Sequence, residues 1–110
     1  MFGFLEKFFG EKGTEFHSND GDATMVYDGK DFVVKKGSFI NVPKGEIKDK
    51  QLSSIFAEHG SKVSPNGILK EDVMLPSSFQ SACFASGRRI SGHDFWKTKD
   101  GRFLREFLEK

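Results

Sequence analysis

The sequence predicts a small α+β domain, an antiparallel sheet built from hairpins and packed by two or three helices. Two turn signals between β-prone runs and two helices with recognisable caps carry that expectation. A chain of 110 residues has room for one such core. Its 13 Phe residues have no polar handle, so most must be buried, with one or two left for a binding surface.

Phe4, Leu5, Phe8 and Phe9 recur at helical spacing, with Glu6, Lys7 and Glu11 on the other side. This predicts an amphipathic helix over residues 1–13, ended by Gly10 or Gly13. Its polar face is not rich in Lys and Arg, so Phe4, Leu5 and Phe8 are expected to meet the protein's own sheet or a partner and not a membrane. The α+β domain itself is expected over residues 14–110. Thr14 to Asp22 is polar and without a sustained period, and reads as a loop. Residues 23–27 and 31–35 flank Asp28-Gly29-Lys30 and predict a hairpin. Lys36 to Val42 continues as an extended segment until Pro43 and Gly45 end it.

Ile47 to His59 carries Leu52, Ile55 and Phe56 on one side and is followed by Gly60, which predicts a helix with its C-terminal cap. Pro65-Asn66-Gly67 between apolar runs predicts a second turn. Ser77 and Ser78 supply N-cap hydroxyls for a helix stopped by Gly87, whose small residues allow close packing and whose Cys83 is expected to be a small buried apolar group. His93 to Thr98 and Arg102 to Arg105 are expected to pair as strands around Asp100-Gly101. Alternation would place His93 and Phe95 on one face, and Asp94 and Trp96 on the other. Phe103, Leu104, Phe107 and Leu108 should return to the core.

The net charge of +1 excludes a protein that coats nucleic acid or membrane by bulk electrostatics. The first 60 residues carry 8 basic and 10 acidic side chains, the last 50 carry 9 and 6. Alignment of Arg88, Arg89, Lys97, Lys99, Arg102 and Arg105 on one face would turn this mild asymmetry into a basic patch, whereas two solvated faces would leave it without function. A single Cys excludes an internal disulfide, and with no signal peptide or long apolar span a cytoplasmic protein is expected.

Cys83 with His93 is the sole nucleophile and base candidate, and nothing is spaced to orient the imidazole, so an enzyme is not expected. His59 reads as a helix-terminal residue favourable to the dipole, and His17 as a loop residue. Asp20, Asp22, Asp28 and Asp31 lack the spacing of a calcium loop and no Cys pair exists for zinc, so no metal or other cofactor is expected.

Taken in order, Asp31-Phe32-Val33-Val34-Lys35-Lys36-Gly37-Ser38, a middle helix, Pro76-Ser77-Ser78-Phe79-Gln80-Ser81-Ala82, Gly87-Arg88, Ser91-Gly92, Trp96-Lys97 and Asp100-Gly101 form a longer pattern. It resembles the RAMA (restriction-enzyme adenine-methylase-associated) domain and its relative, the domain of unknown function appended to some GIY-YIG nucleases. The pattern covers about two thirds of the chain; Ser91-Gly92-His93 stands where the family has Asn-Gly-Trp. The resemblance implies a non-catalytic module that binds nucleic acid, DNA favoured and modified DNA included. Arg88, Arg89, Lys97, Lys99 and Arg102 would meet phosphates, Trp96 and His93 would meet bases, and the Ser91-Gly92 backbone would approach the ligand. Trp96 can equally cap the core. The alternative is a protein-interaction module, as adaptor, inhibitor or homodimer, acting through Phe4, Leu5 and Phe8.

Overall fold

Asp28 sets the central hairpin. Its Oδ1 accepts the backbone N–H groups of Lys30 and Asp31 at 2.9 and 2.7 Å, and Gly29 takes φ 96°, which Gly adopts without strain. The flanking runs become β2 (Thr24–Tyr27) and β3 (Phe32–Val34) in the expected antiparallel pairing. The cross-strand rings of Tyr27 and Phe32 stack at 4.5 Å. The computed structural model describes residues 13–19 and 22–108, and in it three further strands extend the hairpin: β1 (Thr14–Ser18), β4 (Val73–Leu75) and β5 (Trp96–Lys97). Their order is β4-β3-β2-β1-β5, with every neighbouring pair antiparallel. Of the expected helix over residues 1–13, everything but Gly13 lies outside the described residues, including Phe4, Leu5 and Phe8.

Register puts Phe16, Met25, Val34 and Val73 side by side across four strands, and each is 0% exposed. Glu15, Val26, Val33 and Met74 form the neighbouring row, which alternation places on the other face. Two expectations are corrected here. Residues 14–18 are a strand and not a loop, because β1 gains its ladder from β2 on one side and β5 on the other. Its period is disguised because the second inward residue is Ser18, whose Oγ is satisfied by the Ala23 N–H at 3.0 Å. Residues 92–95 are one helical turn, α3 (Gly92–Phe95), begun by the Ser91 hydroxyl, which accepts from the His93 N–H at 3.2 Å. The expected strand from His93 to Thr98 is therefore reduced to Trp96 and Lys97.

The Asp100-Gly101 turn forms, with Gly101 at φ 90° and its N–H donating to Thr98 O at 3.0 Å. The returning strand is a single bridge from Phe103 to Lys97, after which the chain enters α4 (Arg105–Leu108). Leu104 is buried, whereas Phe103 stays exposed, contrary to expectation.

Of the two longer helices, the second forms where its serine cap predicts, whereas the first starts at Lys50 and not at the expected Ile47. α1 (Lys50–His59) is capped by Asp49, whose Oδ1 accepts the Leu52 N–H at 3.0 Å. It presents Leu52, Ile55 and Phe56 to the core. α2 (Ser78–Ser86) starts at Ser77, whose Oγ accepts the Gln80 N–H at 3.1 Å, and ends at Gly87 in the left-handed region. Every residue from Ser81 to Ser86 is buried, the signature of a helix enclosed on all sides. It lies over β3 and β4 while α1 and α3 pack against it.

Trp96 completes the core. It is 0% exposed, and its Nε1 donates to Ser81 Oγ at 3.0 Å; that hydroxyl in turn donates to Ser78 O at 2.8 Å. Of the two roles open to Trp96 from sequence, the structure takes the core one and withdraws it from any base-stacking surface. His59 is likewise buried, edge-on to Phe84 at 5.9 Å. Burial pushes its pKa below the ordinary 6.5, with Lys62 adding and Glu58 opposing, so it is neutral near pH 7 and offers the helix dipole no charge.

Ser81→Ala strands the indole N–H in the core and is expected to cost about 1–3 kcal/mol in urea denaturation; an unchanged midpoint would mean that the N–H has another partner. Trp96→Ala is expected to cost about 3–5 kcal/mol. For His59 the folded pKa is depressed, so its stabilising contribution is full above pH 6.5 and is lost as pH falls through the folded value. Stability should therefore decline below pH 6.5, before the carboxylates titrate. In His59→Gln that early decline should flatten.

Candidate functional site

Gly87 is what turns the chain out of α2. Its φ is 74°, and a Cβ there would sit 1.7 Å from Asn41 O, so only glycine lets the 36–45 segment lie against the helix end. The Gly87 N–H closes the helix on Cys83 O at 2.9 Å, and the Asn41 N–H reaches Ala85 O at 3.0 Å. Arg88 and Arg89 follow, both exposed. The segment then returns along α2 until Gly92, where a Cβ would lie 2.3 Å from Ser78 O. Both glycines thus permit close approach of the chain to itself.

The two arginines differ in their surroundings. Arg89 Nη1 lies 3.3 Å from Asp49 Oδ2 and its guanidinium stands 5.5 Å over the Phe79 ring. The Leu52 amide, helped by Arg89, holds the Asp49 carboxyl below the usual carboxylate range. Phe79, Arg89, Ser91 and His93 border an open pocket of about 310 Å³. Arg88 borders a smaller cavity of about 160 Å³, with Phe39, Asn41 and Phe95. Among the described residues Arg88 has no carboxylate partner. The three other arginines each hold one: Arg89 with Asp49, Arg102 with Asp100 at 3.3 Å, and Arg105 with Asp94.

The remaining expected cations lie elsewhere. Lys97 pairs across from His17 and Trp96 across from Ser18, so with Trp96 inward Lys97 must face the outer side of the sheet. Lys99 is exposed in the following turn, and Arg102 lies 5.0 Å over the Phe107 ring. The helix layer, which holds Arg89, is on the inner side. A single basic face containing Arg88, Arg89, Lys97, Lys99, Arg102 and Arg105 is therefore not formed. Sequence reasoning missed Phe39, Asn41, Asp49 and Phe79. The Ser-Ser cap immediately before Phe79 was the one local signal available, because an aromatic in a first helical turn sits at the rim of its helix.

Cys83 is 1% exposed and its Sγ lies 3.8 Å from Ile90 O, while His93 is exposed. Burial pushes the Cys83 thiol above its ordinary 9.0, the wrong direction for a nucleophile near neutral pH. No group of three or more metal-ligating side chains occurs among the described residues, and no helix among them is long and apolar enough to cross a membrane.

Residues 14–108 match the family described as a domain of unknown function, DUF4357. No curated protein and no solved structure matches the chain.

An aromatic disulfide reagent is expected to label Cys83 of the native protein slowly at pH 7–8, with the rate rising in step with unfolding as urea is added. Rapid labelling in buffer would show that the thiol is reachable without unfolding.

Proposed function

The chain belongs to the DUF4357 family of domains of unknown function, and for this member we propose a non-catalytic module that binds nucleic acid, DNA favoured, through the segment that leaves α2. The observation that carries this reading is the state of Arg88. It is exposed and uncommitted among the described residues, at a position held by Gly87 and Asn41, while the three other arginines are engaged by carboxylates. A guanidinium presented without a carboxylate partner is a bidentate donor for a phosphate oxygen pair. Arg89 beside it, Ser91 and His93 supply further donors around the 310 Å³ pocket. The similarity of the Gly87-Arg88, Ser91-Gly92 and Asp100-Gly101 elements to the RAMA domain and to the domain appended to GIY-YIG nucleases supports the same ligand class, modified DNA included. Trp96 has no part in it. Lys97 faces the outer side of the sheet and would add only long-range attraction.

Fluorescence anisotropy with short duplex, single-stranded and base-modified DNA, and with RNA, tests the reading. Binding is expected at about 50 mM salt and should weaken toward about 200 mM, and Arg88→Ala should lower the slope of log affinity against log salt by about 0.9. Absence of binding to all four at low salt would overturn it.

A second reading, a homodimer, is favoured by Phe39, Val42 and Ile68, which are 40%, 42% and 38% exposed. Phe39 and Val42 border a groove of about 400 Å³, and Ile68 bridges to Phe39. Together with Phe4, Leu5 and Phe8 these would supply apolar surface for a second copy. Light scattering that finds a dimer for the full chain and a monomer for a chain starting at Thr14 would support it; a monomer in both would remove it.

A further inference from the structure

The cavity beside Arg88 is smaller than the two pockets described above and has an aromatic, an amide and an uncommitted cation among its lining residues. Its volume is about 160 Å³, roughly half the lower end of the range for small-molecule sites of about 300 Å³. It therefore suits one heterocyclic ring system and not a whole nucleotide. Phe39 forms one wall and is 40% exposed, an unfavourable display for a Phe side chain in a chain that buries most of its other described ones. Its position is fixed. The Phe39 N–H donates to Asp22 O at 2.9 Å and the Ile40 N–H to Gly67 O at 2.7 Å, and the ring rests on Gly67, where a Cβ would meet it at 2.7 Å.

Asn41 stands next to this ring. Its main chain is clamped between the Ala85 carbonyl and Gly87, while its side chain is exposed and makes no hydrogen bond among the described residues. A primary amide so held offers one acceptor and two donors in a plane, the set that reads a base edge. Phe95, 7% exposed, contributes to the apolar lining. Asp22 also borders the cavity.

We infer that this cavity takes one unstacked DNA base, lying against the Phe39 ring and read at its edge by the Asn41 amide, with Arg88 on a flanking phosphate. The inference rests on the nucleic-acid reading above and sharpens it: the domain holds a nucleotide out of the stack. Stacking on a fixed aromatic face and hydrogen bonding to the exposed edge recover the unstacking cost, which is least where the base is already unpaired.

The experiment compares two hairpin duplexes of equal length at one salt concentration, one fully paired and one with a single bulged base, titrated with the full chain. The bulged duplex is expected to bind about tenfold more tightly. In Asn41→Ala and in Phe39→Leu, which keeps an apolar side chain on Gly67, the ratio of the two affinities should fall to about one. Urea midpoints of both variants establish that they are folded. Salt-dependent binding with equal affinity for the two duplexes would overturn the base cavity and leave the nucleic-acid reading standing. A preference that survives in both variants would likewise overturn it. No binding to either duplex at low salt would overturn both.

Discussion

The hydrogen bond from the Trp96 indole to Ser81 is the constraint on which the last third of the molecule depends. A fully buried indole N–H needs a partner, and Ser81 can provide one only because it faces out of a helix made of small residues. Its hydroxyl is used in both directions, accepting from Trp96 and donating to Ser78 O. Once Trp96 is committed inward, its neighbour Lys97 must point outward, β5 must lie against β1, and the Asp100-Gly101 turn must extend from that edge. The outward placement of Lys97, away from the helix layer that holds Arg89, follows from one buried side chain.

Two glycines then determine what the segment between α2 and β5 displays. Gly87 lets the 36–45 segment touch the helix end, and Gly92 lets the returning chain touch the helix start. Between these fixed points the arginines have nowhere to go but outward. Of the four arginines in the chain, carboxylates already occupy three. Such exposed pairs contribute little stability, but they reduce the charge available to a ligand. Arg88, with its charge uncommitted among the described residues, borders a cavity together with Phe39, whose ring rests on Gly67, and Asn41, whose main chain is held at the helix end. In the proposed nucleic-acid reading, a fixed backbone of that kind would lower the entropic cost of binding.

Turns and caps were legible in the sequence because each is decided by a few neighbouring atoms. The Asp28-Gly29 hairpin, the Ser77 N-cap, the Gly87 stop and the Asp100-Gly101 turn rest on hydrogen bonds within about five residues or on the conformational freedom of Gly. The α+β class followed from them, and among the described residues Phe39 and Phe103 are the exposed Phe side chains.

What the sequence left undecided was everything that depends on a partner far along the chain. β1 has a single apolar residue on its inner face apart from the disguised Ser18, and exists because β2 and β5 bracket it. Residues 92–95 became a helical turn because Ser91 caps them and Gly92 packs on Ser78. Whether Trp96 was core or displayed depended on a hydroxyl 15 residues away, and the grouping of Phe39, Asn41 and Arg88 on a segment crossing the end of a helix about 45 positions later. Local chemistry determines elements and their ends; burial and close approach between distant segments decide which faces those elements turn to solvent, and a binding site is made of those faces.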